Sequence, residues 1–86
     1  MNEARAIEFA SDNGISVSTD IVTRLKYKGK WFRNTAFKVG AYTVMRLSDA
    51  CEWEVYDEHA KRFEGRRGDC IEFCVRATLN NRSDHA

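Results

Sequence analysis

Basic and aromatic side chains are concentrated in one stretch of this 86-residue sequence. The stretch 21–48 contains no acidic residue, and its cations are Arg24, Lys26, Lys28, Lys30, Arg33, Lys38 and Arg46. The segments on either side are acidic, so the formal net charge of the chain is only +1. Mobile cations bind backbone phosphates, and an aromatic ring offers a surface on which unpaired bases stack. The pattern predicts a surface that binds nucleic acid or an acidic protein, formed by Arg24, Lys26, Lys28, Lys30, Phe32 and Lys38.

Two alternatives to a binding surface also account for the basic stretch. Later acidic strands could lie beside the cations and neutralise them. Lysines at the edge of a sheet also prevent edge-to-edge aggregation and need no ligand for that purpose. The residues alone leave these alternatives open.

The side chains that usually support catalysis are sparse. The only histidines are His59, in a polar segment, and His85, close to the C-terminal end, so neither has a nucleophile as an obvious partner. Glu52 and Glu54 lie two residues apart, but paired carboxylates do acid–base work only in a cleft that perturbs them. We therefore predict that the protein is not an enzyme.

The three cysteines are Cys51, Cys70 and Cys74, an odd number that does not indicate a disulfide framework. A zinc site of the finger type needs a second pair of ligands, which the sequence lacks. On the strand predicted for this region, Cys70 and Cys74 would lie about 13 Å apart, too far to share an ion. We predict reduced thiols, no metal and no cofactor. The sequence shows neither a transmembrane run nor a signal peptide, which predicts a cytoplasmic protein with no membrane partner.

The elements that must position the basic residues begin with a helix over 2–13, ended by Gly14. The next segment, 15–28, has two interpretations. Its apolar residues alternate, which predicts a strand. Alternatively, 18–28 forms a helix that would make 10–26 resemble a helix-turn-helix motif. We expect the strand.

Gly29 predicts a tight turn with a positive φ, followed by a second strand over 30–39. If the loop has an odd number of residues, one set of side chains faces the core: Ile21, Leu25, Tyr27, Trp31, Phe37 and Val39. The predicted binding residues then all face outwards.

The stretch 41–56 shows the clearest strand pattern, with two alternating runs around the polar segment 48–50. A three-residue loop sets Met45 opposite Trp53 and gives one apolar and one polar face. A two-residue loop would set Met45 opposite Glu54. We predict the three-residue loop and expect Trp53 in the core.

The C-terminal third completes the predicted fold. Residues 57–65 form one helical turn or a wide hairpin loop, 69–79 form a last strand, and 80–86 form a disordered tail. The sequence therefore predicts a single α+β domain over 1–79, with the N-terminal helix packed on an antiparallel sheet of four to five strands.

Three short segments within 43–64 carry a family resemblance: Thr43-Val44-Met45-Arg46, Trp53-x-Val55 and Lys61-Arg62-Phe63. Together they resemble the C-terminal hairpin of a small phage-encoded type I anti-CRISPR protein. The resemblance implies a non-enzymatic inhibitor that binds a host protein or protein–RNA complex, such as a CRISPR effector, and blocks its access to target DNA.

A second hypothesis, from the residues themselves, is a module that binds DNA or RNA directly through a basic hairpin or a winged helix-turn-helix. Either hypothesis is compatible with a monomer or a small homo-oligomer.

Overall fold

In the described part of the chain, five antiparallel strands follow one another in the sequence, with one helix before them and one after them. A computed structural model describes the backbone of residues 1–84 and the side chains of residues 1–82. The elements are α1 (Glu3–Asp12), β1 (Ile21–Tyr27), β2 (Lys30–Val39), β3 (Tyr42–Leu47), β4 (Trp53–Tyr56), β5 (Lys61–Gly65) and α2 (Arg67–Asp84). The strands form one sheet in the order β1-β2-β3-β4-β5. The predicted α+β class, with an N-terminal helix and an antiparallel sheet, is confirmed.

Helix α1 begins and ends where the sequence predicts. The side-chain oxygen of Asn2 accepts a hydrogen bond from the Arg5 N–H at 2.9 Å, which caps the first turn. Gly14 follows the last turn with a φ of 67°. The helix buries Ala6 and Ala10 completely, and it packs mainly against α2, which lies on the sheet.

The segment 69–79 is helical, so the predicted last strand is wrong. Its odd positions alternate, but Cys70, Ile71, Cys74 and Val75 form a stripe at helical spacing, and all four are fully buried. Buried cysteines behave as small apolar residues, and counting them as such completes the helical stripe. The tail predicted over 80–86 is also wrong as far as residue 84, because α2 continues to Asp84. Residues 85 and 86 lie outside the described part of the chain.

The first hairpin turns through two residues, Lys28 and Gly29. Their φ values are 51° and 77°, as a type I′ turn requires, so the positive φ predicted for Gly29 is confirmed. The strand interpretation of this region is also confirmed over β1, and the helix-turn-helix alternative is wrong.

The even length of this turn reverses the predicted facing of β1. Leu25 pairs with Phe32 and Lys26 pairs with Trp31, so odd residues of β1 share a face with even residues of β2. We call the sheet surface that packs against α2 the helix-side face, and its opposite the open face. Of the predicted core residues, Phe37 and Val39 are buried on the helix-side face. Three others lie exposed on the open face: Ile21, Leu25 and Tyr27.

The central hairpin adopts the register of the two-residue loop, so the predicted register of the three-residue loop is wrong. Met45 pairs with Glu54 and Val44 pairs with Val55, with 48–52 between the strands. Val44 is therefore fully buried on the helix-side face, and Met45 lies half-buried on the open face. Both sides of β3 carry apolar residues, so packing against α2 selects the side that is buried. Trp53 is half-buried and packs against the edge of the core.

A tight turn and a short strand occupy the segment predicted as a helical turn or wide loop. The Asp57 carboxylate accepts hydrogen bonds from the N–H groups of Ala60 at 2.8 Å and His59 at 2.7 Å. These bonds, together with Arg62, lower the pKa of Asp57 to about 2. The turn leads directly into β5.

Gly68 allows the two helices to meet, and its replacement by Ala should destabilise the protein. A Cβ at this position would stand 2.5 Å from the Met1 carbonyl oxygen and 2.7 Å from backbone atoms of Asn2 and Glu3. We expect Gly68→Ala to lower the free energy of unfolding by roughly 1–3 kcal/mol, because the start of α1 must move. In an ordinary helix the same change raises stability by about 0.5–1 kcal/mol.

Urea unfolding of Gly68→Ala checks this expectation. Asn80→Ala, at an exposed position of the same helix, serves as the control and should not lose stability. A Gly68→Ala protein that is as stable as the wild type would contradict the close contact.

Candidate nucleic-acid interface

The end of the first hairpin extends beyond the rest of the sheet. Strand β3 pairs with β2 only from Asn34 to Val39, so residues 24–33, which we call the arm, have no third strand beside them. Every residue of β1 is exposed, and the molecule is elongated, with extents of 49 × 27 × 18 Å. The arm is thus a two-stranded ribbon accessible from both faces.

The two-residue turn divides the predicted binding residues between the two faces of the sheet. Arg24 and Lys26 lie on the helix-side face, and Lys28 lies in the turn itself. The remaining three lie on the open face: Lys30, Phe32 and Lys38. The six residues therefore do not form one surface, and the prediction that they face the same way is wrong.

The helix-side face instead joins Arg24 and Lys26 to residues outside the predicted binding set. Arg24 pairs directly with Arg33, and Arg46 pairs with Thr35. Trp31, predicted to be in the core, lies opposite Lys26 on this face and is 56% exposed. The two-residue loop Lys28-Gly29 was the signal that could have revealed this set, because an X-Gly pair is typical of a two-residue hairpin turn.

Two cations of the helix-side face lie close to the Trp31 ring. The Arg24 Cζ atom lies 5.2 Å from the ring centroid, and the Lys26 Nζ atom lies 5.8 Å from it. These distances are within the range of cation–π attraction. The arm therefore holds an exposed indole and positive charge at the same place.

None of the seven cations in 21–48 forms an ion pair with a carboxylate whose side chain the structure describes. Carboxylates of the later segments pair elsewhere: Glu54 with Lys61, Asp57 with Arg62, Glu72 with Arg76, and Asp69 with the N-terminal amine. The alternative in which later acidic strands neutralise the basic stretch is therefore wrong for the described residues. The charge of the arm remains available to a ligand.

A pocket of about 250 Å³ lies on the helix-side face where the arm joins the sheet. Its lining residues are Val22, Arg33, Thr35, Arg46, Leu47, Ser48 and Trp53. The Ser48 Oγ atom accepts a hydrogen bond from the Arg33 N–H at 3.2 Å, which holds the loop after β3 against the arm. Guanidinium groups, hydroxyls and an indole in one pocket can bind a phosphate and a ring together.

Arg67, at the start of α2, has a structural role next to this pocket. Its guanidinium donates hydrogen bonds to Glu3 at 2.6 Å and to Asp20 at 2.7 Å. It also lies 4.2 Å from the centre of the Phe37 ring and 4.7 Å from that of Trp53. Arg67 thus ties the start of β1, and with it the base of the arm, to both helices.

The groups considered for catalysis and for a metal are dispersed. His59 is exposed in the turn before β5, and Glu54 is paired with Lys61 while Glu52 is exposed. Cys70 and Cys74 lie one helical turn apart in α2, not 13 Å apart on a strand. Among the described residues, no group of three or more potential ligands from His, Cys, Asp and Glu is close enough to hold a metal ion.

The three thiols should differ sharply in reactivity. Cys51 is exposed, whereas burial raises the pKa of Cys70 to about 11 and that of Cys74 to about 12. The thiolate is the reactive form, so a thiol reagent at neutral pH should modify only Cys51 in the folded protein and all three cysteines after denaturation. Cys51→Ser should abolish the reaction of the folded protein. Rapid modification of two or three thiols under native conditions would contradict the burial of α2.

Comparison with protein families, with curated proteins and with solved structures finds no match for this chain. None of the described helices has the length and apolar character needed to span a membrane.

Proposed function

We propose that this chain is a non-enzymatic nucleic-acid-binding protein whose arm contacts the phosphate backbone. The observation that carries the proposal is the set of unpaired cations on a projecting ribbon that also carries an exposed indole. Cations that already have carboxylate partners gain little from a phosphate, whereas unpaired cations release the counterions condensed on the nucleic acid.

Binding of a fluorescein-labelled oligonucleotide, measured by anisotropy as salt increases, tests this proposal. Four phosphate contacts imply that raising the salt from 50 to 200 mM weakens binding about 50-fold for a single strand and about 150-fold for a duplex. The absence of binding at 50 mM salt, or binding that salt does not affect, would overturn the proposal.

We propose as a second candidate that the chain inhibits a host nucleoprotein complex, as the anti-CRISPR resemblance implies. The observation that favours it is a group of apolar side chains on the open face that neither α1 nor α2 covers. Leu25 and Leu47 are each 37% exposed, and Tyr27 is 60% exposed, beside Phe32. Such a surface fits a protein partner better than a phosphate backbone.

A purified type I CRISPR effector complex provides the test of this second candidate. Excess protein should prevent the effector from binding its target DNA. Leu25→Ser combined with Tyr27→Ser should remove the inhibition, while binding of the free oligonucleotide stays unchanged. If the effector binds its target normally in the presence of excess protein, that effector is not the partner.

A further inference from the structure

We propose that the nucleic acid is single-stranded and lies along the helix-side face of the arm, with one base stacked on Trp31. This inference rests on the proposed nucleic-acid binding and adds the class of substrate and the face that it occupies. Phosphates would be bound by four cations of that face, of which Lys26 lies nearest the turn, Arg24 and Arg33 lie side by side, and Arg46 lies deepest in the pocket.

The state of the Trp31 ring is the first argument for a single strand. More than half of this side chain is exposed, and it is not among the side chains that pack against the core. Arg24 and Lys26 lie within 6 Å of its centre, so the phosphates on either side of a stacked base would meet positive charge. In a duplex the bases already stack on one another, whereas an unpaired base has a free face for the indole.

The path from Trp31 to the pocket is the second argument. Residues on one face of β2 lie roughly 7 Å apart, so Trp31, Arg33 and Thr35 form a short track that ends in the pocket. The pocket, at about 250 Å³, is large enough for one unpaired base. Arg33 and Arg46 line it together with Trp53, so a phosphate and a base would both find partners there. A continuous duplex would remain outside this pocket.

The open face of the same ribbon lacks such a track. Its cations on β2 are Lys30 and Lys38, and the residues between them on that face are Phe32, Asn34 and Ala36, which carry no charge. The side chains of β1 on this face carry no charge either, whereas β1 places Arg24 and Lys26 on the helix-side face. The distribution of charge thus selects the helix-side face.

Two aromatic residues of the arm provide a matched test. Trp31 on the helix-side face is 56% exposed, and Tyr27 on the open face is 60% exposed. The probes are a fluorescein-labelled oligothymidylate of about 20 nucleotides and a duplex of equal length, both at constant salt. We expect the oligothymidylate to bind more tightly than the duplex. Trp31→Ala should weaken its binding about 5- to 150-fold.

Four further results should accompany that loss. Trp31→Phe should retain most of the affinity, because phenylalanine still provides a ring for stacking. The salt slope of Trp31→Ala should equal that of the wild type, because no phosphate contact is removed. Tyr27→Ala should bind the oligothymidylate as the wild type does. Melting curves should show that both Ala variants remain folded, since neither ring lies in the core.

These measurements distinguish the failure of the single-strand assignment from the failure of the proposed nucleic-acid binding. If the duplex binds as tightly as the single strand, or if Tyr27→Ala loses as much affinity as Trp31→Ala, the single-strand assignment is overturned while nucleic-acid binding stands. If neither probe binds, both proposals fall together.

Discussion

Replacing Arg24, Lys26 and Arg33 together with Gln is expected to weaken binding to a single-stranded oligonucleotide about 500-fold at 50 mM salt. Each lost phosphate contact reduces the log–log salt slope by about 0.7, so the slope of the triple variant should be shallower by about 2. The three side chains are exposed and form no ion pair with a described residue, so the fold should be unaffected. Anisotropy titrations over a range of salt concentrations measure both quantities.

The matched control removes three cations that already have carboxylate partners: Lys61, Arg62 and Arg76. Their replacement by Gln changes the net charge by the same amount, but it should leave the affinity within a few-fold of the wild type. Equal losses in the two triple variants would mean that net charge, and not the arm, determines binding. That result would remove the support for a localised interface.

Trp53→Ala is expected to leave the protein only marginally stable at physiological temperature. The indole packs edge-on against Phe37, with the ring centroids 5.8 Å apart, and it lies below the guanidinium of Arg67. Its removal should lower the free energy of unfolding by roughly 3–5 kcal/mol. Natural domains have only about 5–15 kcal/mol in total, and a chain this short lies towards the lower end. Chemical denaturation followed by circular dichroism measures the loss.

Trp31→Ala is the natural control for Trp53→Ala, because the same substitution is made at an exposed site. Its effect on stability should stay within about 0.5 kcal/mol, as for most surface substitutions. The two variants should therefore differ in what they lose. Trp53→Ala should lose stability, and Trp31→Ala should lose affinity for nucleic acid. A Trp53→Ala protein with the stability of the wild type would contradict the packing described for the end of β4.

Elements that depend on a few neighbouring residues were predictable from the sequence. Helix α1 is delimited by Asn2 and Gly14, whose effects are confined to one turn of the chain. Gly29 likewise determines the first turn, since the left-handed backbone is accessible to glycine without strain. The concentration of cations in 21–48 is also a property of the sequence alone. Local geometry and composition thus determined the helix, the first turn and the position of the basic stretch in the chain.

The tertiary structure decided the elements for which two local patterns fit equally well. In α2, Ile71 and Val75 satisfy both an alternating and a helical pattern, and the helix prevails because its stripe is buried between α1 and the sheet. In β3, Val44 and Met45 are both apolar, and contact with α2 determines which of them is buried. Such choices depend on contacts between residues far apart in the chain, so a short stretch of sequence cannot predict them.

In the candidate site, too, the sequence determined some features and the tertiary structure decided the others. The residue types were evident from the sequence, but the parity of one turn determined that Arg24 and Trp31 share a face and that Lys30 does not. Whether the cations were free depended on where the carboxylates were placed. Those of β4, β5 and α2 found partners within their own part of the fold, for example Glu54 with Lys61 and Glu72 with Arg76. Because an ion pair forms only over a few ångströms, the folded arrangement of the chain, and not its composition, left the charge of the arm unpaired.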